Sequence, residues 1–138
     1  RKCRTKALLY SSFYIITNFQ KQKKNKDMAL KFPFAAATTV ALSATGAQAI
    51  TIENTLTYID GVTTIATGNR TLNLTIDSEV PVGAKIIVAS KTTGTETTIA
   101  GTGMTMPTTT GSAGKTKVLE LYYNGTAFIA LAVGYQID

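Results

Sequence analysis

Two short stretches of this 138-residue chain hold side chains that could do chemistry. The first is GSAGKT, residues 111–116, which ends in the Gly-Lys-Thr of phosphate-cradling loops. Such a loop needs a second glycine five positions before Gly114, where Thr109 stands, and it must open a helix whose N-terminus faces the anion. The residues that follow, KVLELYY, read as a strand, so a surface loop is expected instead. The second stretch carries Asp77 and Glu79, which could act as paired carboxylates or hold a hard cation. A calcium site wants several oxygens from neighbouring positions, and no D-x-D-x-D-G run accompanies them, so solvated loop charges are expected. The Asn-x-Thr tripeptides beginning at Asn69, Asn73 and Asn124 have the form of glycosylation acceptors, a form that a threonine-rich chain generates by chance.

The rest of the composition narrows the chemistry further. Histidine is absent, which removes the usual general base and the commonest metal ligand, and the only cysteine is Cys3. An enzyme would have to work with carboxylates, lysines, tyrosines or hydroxyls, and no spacing gathers these into a set. The expectation is a non-enzymatic protein with no catalytic, cofactor-binding or metal-ligating residues.

The net charge of +6 suggests a nucleic-acid or anionic-membrane partner until the charges are located. Residues 1–27 hold Arg1, Lys2, Arg4, Lys6, Lys21, Lys23, Lys24 and Lys26 against Asp27 alone, whereas 28–138 carry six basic and seven acidic side chains. The basicity therefore belongs to a leader, and the near-neutral remainder has no basic groove for a phosphate backbone. The leader's apolar run, 7–19, is shorter than the roughly 20 residues of a membrane span. Neither nucleic acid nor membrane is an expected partner.

These counts divide the chain into three. Residues 1–27 read as upstream translation of AT-rich DNA, with the protein starting at Met28, or as a disordered basic tail. Residues 28–49, MALKFPFAAATTVALSATGAQA, imitate a secretory signal with Ala47-Gln48-Ala49 as the cleavage site, but Pro33, Thr38, Thr39, Ser43 and Thr45 interrupt the apolar centre. An Ala/Thr-rich anchoring arm is the competing reading.

From residue 50 to 138 the chain is threonine-rich β sequence punctuated by glycine. Asp60-Gly61 reads as a hairpin turn, RTLNLTI (70–76) puts Leu72, Leu74 and Ile76 on one face, and Ile86-Ile87-Val88 suggests a strand covered on both faces. Residues 101–114 read as a loop. Asn124-Gly125 predicts a two-residue type I′ hairpin pairing Tyr123 with Thr126, Leu121 with Phe128 and Leu119 with Ala130. About seven short strands of this kind predict a compact antiparallel sandwich or open barrel. By alternation Tyr123 shares the face of Leu121, which leaves Tyr122 the better candidate for exposure.

From Met28 onward the chain resembles small accessory structural proteins of tailed bacteriophage particles, of the head decoration and head-fibre type. The resemblance lies in KFPFAAATTVALSATGAQAITI, TLTYIDG, RTLNLTIDSEVPVGAKIIVASKT and the closing LELYYNGTAFIAL. It implies a β domain that is oligomeric, often trimeric, and attached by its N-terminal segment to the major capsid protein or another virion protein. On this resemblance Lys31, Phe32 and Phe34 are the expected anchor-arm contacts, and Tyr122 and Tyr135 the expected subunit interface or rim. The competing class is an exported bacterial adhesin or carbohydrate-binding module with 28–49 as its signal.

Overall fold

The computed structural model describes residues 37–138; the 1–27 leader and the predicted contacts Lys31, Phe32 and Phe34 lie outside the described residues. Eleven strands run in the order β1 (Thr38–Ala41), β2 (Gly46–Ile52), β3 (Leu56–Ala66), β4 (Arg70–Ile76), β5 (Lys85–Thr92), β6 (Thr97–Ala100), β7 (Met104–Thr105), β8 (Thr109–Thr110), β9 (Thr116–Tyr123), β10 (Phe128–Ala130) and β11 (Tyr135–Gln136). They form a seven-stranded sheet ordered β1-β3-β5-β9-β10-β7, with β11 also on β9, and a four-stranded sheet ordered β2-β4-β6-β8. The described domain is all-β and built in two layers.

Each strand from β1 to β9 lies in the other sheet from the one before it. Successive strands therefore wind as a coil: β1, β3 and β5 stack parallel in one sheet, and β2, β4 and β6 stack parallel in the other. The coil ends where β9 enters antiparallel to β5 and β8 antiparallel to β6. Strand direction is thus mixed where an antiparallel domain was expected, with five parallel pairs and four antiparallel.

The reason is visible at Asp60-Gly61. The chain does not reverse there but continues through β3, and the Asp60 carboxylate accepts from the Val62 N–H (2.8 Å), the Thr63 N–H (3.1 Å) and the Thr63 hydroxyl (2.6 Å). Those local bonds make a register shift against β5 between Gly61 and Ala66 in place of a hairpin. Gly61 is needed because a Cβ there would meet Arg70 Nη1 at 2.5 Å and Ala89 O at 2.8 Å.

At Asn124-Gly125 the hairpin is present but wider. Phe128 pairs with Tyr123, Ile129 with Tyr122 and Ala130 with Leu121, so the loop spans 124–127. Asn124 spends its side-chain oxygen on the N–H groups of Thr126 and Ala127, both at 2.9 Å, and only Gly125 takes positive φ, so the turn is not type I′. The pairing moved by two residues, which preserves the face of every side chain. Leu119, Leu121 and Phe128 are accordingly buried together, and Tyr123 stacks on Phe128 with ring centroids 5.2 Å apart.

The described β structure reaches back across residue 50. β1 and most of β2 come from the segment 28–49, and Leu42 between them is 2% exposed in the same core as Ile50, Ile52 and Ile59. That core lies between the sheets, fed by Leu72 and Leu74 from one and Ile86 and Val88 from the other. β5 is central: Ala89 on its outward side is also buried, and Ile87 is half-buried. Within 101–114, otherwise loop, only the two-residue strands β7 and β8 form.

One layer of this interior is polar. Arg70, fully buried, shares the inward face of β4 with Leu72 and Leu74. Its guanidinium donates to Ser43 O (2.8 Å), Gly61 O (3.3 Å), Ser90 Oγ (3.2 Å) and Thr64 O, and Ser90 Oγ lies 3.2 Å from Thr98 Oγ1. Burial pulls the guanidinium below its ordinary pKa, while the charge of Asp60 works in the opposite direction. Backbone carbonyls of the β1–β2 connection and of two positions in the irregular part of β3 thus converge on one cation.

Candidate interaction surfaces

The stretches with chemical potential are structural in this fold. GSAGKT forms a turn in which Lys115 N–H donates to Ser112 O (2.9 Å) and runs directly into β9, with no helix to face an anion. Asp77 accepts from the Glu79 N–H at 2.8 Å and helps close the β4–β5 connection, where Val80 N–H donates to Asp77 O. Among the described residues no three His, Cys, Asp or Glu side chains gather as a metal site. Glu96 is used in the same local way, accepting from the Thr93 hydroxyl (2.7 Å) and the Gly94 N–H (2.7 Å), bonds that hold its carboxyl below the usual range.

What the domain does display is an outer face on the larger sheet where aromatic and aliphatic side chains flank one ion pair. Strand register places Tyr58 beside Ile87 and Ile87 beside Glu120; Lys85 lies beside Tyr122, and Val118 beside Tyr135. Tyr122 and Tyr135 are therefore on one face, at opposite ends of β9, separated by the Lys85–Glu120 ion pair (2.7 Å). Tyr122 is half-buried and Tyr135 is 67% exposed. Tyr123 turns to the core side and packs there.

Sequence reading missed the neighbours of Tyr135. Leu131, Val133 and Ile137 are 61%, 69% and 66% exposed, so with Tyr135 they form an alternating apolar ribbon along the last residues of the chain. The ribbon borders a shallow groove over Val118 and Glu120. Its period-two spacing was available in LAVGYQI, but without knowledge of the partner strand such a run reads as one more core strand.

A clasp holds this ribbon against β9. The Asp138 carboxylate accepts from the Thr116 N–H and from the Thr116 hydroxyl (3.0 Å), and Ile137 N–H donates to Thr116 O (3.1 Å). The Thr116 N–H first, then its hydroxyl and the charges of Lys91 and Lys115, hold the Asp138 carboxyl below the usual carboxylate range. A depressed folded-state pKa gives stability that is present above the unfolded value and lost as pH falls through the folded one. Acidification below about pH 4 is therefore expected to release the ribbon, read as faster amide exchange at Thr116 and Ile137. Asp138→Asn should remove that pH dependence; an unchanged profile would assign the clasp to other groups.

Compared with known proteins, the chain matches no family model, no curated protein and no solved structure.

Proposed function

We propose that this protein is a non-enzymatic structural component of a bacteriophage particle, decorating the capsid surface or forming part of a head fibre. It binds the major capsid protein or another virion protein through the chain that precedes β1, and it assembles with copies of itself, a trimer being the favoured number. The observation that carries the reading is the exposed ribbon Leu131, Val133, Tyr135 and Ile137, on a domain in which Asp60, Asp77, Glu96, Glu120 and Asp138 are engaged in hydrogen bonds or an ion pair. Apolar side chains shown together to solvent in this way mark a surface that another protein covers. The resemblance of the sequence to head decoration and head-fibre proteins supplies the kind of particle.

The exported adhesin is the weaker reading. Cleavage after Ala49 would remove β1, four residues of β2 and the buried Leu42. The test is proteomic: density-purified particles from lysates of cells carrying this gene are digested and analysed by mass spectrometry. Peptides of this chain at capsid-like stoichiometry are the expected result. A protein confined to the particle-free supernatant or envelope, beginning at Ile50, would overturn the proposal.

A further inference from the structure

The open end of the coil indicates what joins one copy to another. β2 pairs with β4 along all seven of its residues, and among the described residues no strand lies on its other side. That free edge, GAQAITI, has no charge, proline or bulge to discourage pairing.

The direction of its unpaired groups follows from the bonds that its ends make to β4. Gly46 N–H donates to Asn69 O (2.8 Å) and Asp77 N–H donates to Ile52 O (2.9 Å), so the inward-facing residues of β2 bond to β4. One rung later the same holds: Gly101 N–H donates to Leu72 O (2.8 Å) and Leu74 N–H to Thr102 O (2.9 Å). Inward residues point to the following rung and outward residues to the preceding one. Ala47, Ala49 and Thr51 therefore present the free N–H and C=O groups.

A strand laid parallel on this edge would bond through its own inward residues and leave its outward residues at the new rim. The sequence LKFPF, 30–34, has that pattern: Leu30, Phe32 and Phe34 share one face, and Lys31 and Pro33 the other. With the apolar three inward, Pro33 has its missing N–H at the rim, where none is needed, and Lys31 puts charge there. Every other orientation turns Pro33 toward β2 or puts Lys31 into the core. The link between this segment and β1 bears on which copy supplies the strand. Each described connection between the sheets, from 42–45 to 111–115, contains Gly, Pro, Asn, Asp or Ser, whereas 35–37 is Ala-Ala-Ala. That link offers no residue type that favours a turn back onto the β2 edge of its own copy.

We propose that residues 30–34 of a second copy add as a parallel strand to β2, with Phe32 and Phe34 facing the core, so that copies are joined by their N-terminal segments. This rests on the oligomer reading above only in expecting that copies associate; it assigns Phe32 and Phe34 to the contact between copies in place of the contact with a virion protein, and it holds for any particle or for none.

The test compares the full chain with its Phe32→Pro and Lys31→Pro variants by light scattering and amide exchange. Proline at 32 removes an N–H that bonds β2, whereas proline at 31 removes one at the rim. The full chain and Lys31→Pro should be oligomeric with slow exchange at Ala47, Ala49 and Thr51. Phe32→Pro should be monomeric, with those three amides exchanging at least about 10-fold faster and core amides such as Leu121 unchanged. A peptide of residues 28–36 added to that variant should restore their protection. Identical behaviour of the two variants would overturn the proposal, as would a full-length oligomer with unprotected β2 amides. A monomer with protected amides would overturn the second copy as the source of the strand.

Discussion

Arg70→Ala is expected to lower the unfolding free energy by about 3–5 kcal/mol, a large share of the roughly 5–15 kcal/mol available to a domain of this size. Burying a cation is costly, and here the cost is offset by acceptors already arranged around it: the carbonyls of Ser43, Gly61 and Thr64 and the hydroxyl of Ser90. Truncation removes the donor and leaves Gly61 O and Ser90 Oγ, the two buried acceptors, without it; each unsatisfied group costs about 1–3 kcal/mol. The side chain's volume is lost as well. Arg70→Lys keeps the charge but cannot reach in several directions from one plane, so it should fall only part of the way back to wild type. Urea titration checks both: with a slope of about 1–3 kcal/mol per molar, the midpoint for Arg70→Ala should fall by more than 1 M. A shift within a few tenths of a molar would mean that the acceptors find other partners.

Removing residues 1–49 is expected to abolish folding, whereas a chain beginning at residue 37 retains it. The longer deletion takes β1 from beside β3, strips Gly46 to Ala49 from beside Arg70 to Asn73, and empties the place of Leu42. It also takes Ser43 O from the Arg70 guanidinium and the Thr45 hydroxyl from Asn69 O. What remains is a coil whose first complete rung has lost half of its cover on both sheets. Far-UV circular dichroism and a thermal scan decide: the 50–138 chain should show no cooperative transition. A cooperative transition in it would restore the segment 28–49 as a removable signal.

How much of this was legible in the sequence differs from one residue to the next. The face of each side chain was readable wherever alternation was strict: Leu72 and Leu74 are inward, Asn73 is outward, and Leu119, Leu121 and Phe128 meet in the core. A two-residue error at Asn124-Gly125 did no harm there, because parity survives an even shift. Strand direction was not readable. A hairpin announces itself in its turn, whereas a parallel neighbour arrives from a whole rung away, as Ile59 reaches Val88, and leaves no local mark. Asp60-Gly61 misled for a related reason: Asp can bond the backbone two and three residues on without reversing it. Arg70 could have been found, since parity alone puts it on the apolar face of Leu72 and Leu74; an arginine with no matching acid on a core face is a signal for a carbonyl cage. The apolar ribbon at residues 131–137 could not, because exposure depends on what the chain leaves uncovered.

The polar layer also decides how the strands stack. In a sequence with many interchangeable threonines, a strand can slip by two residues and keep every apolar side chain inward, so the hydrophobic pattern does not penalise the error. Such a slip of β4 would carry its single cation one step along the core, away from Ser43 O, Gly61 O and Thr64 O and into a layer lined by Ile and Leu. Arg70 thereby works as an index mark: among the stackings that parity permits, it leaves one in which the charge is solvated by the protein itself.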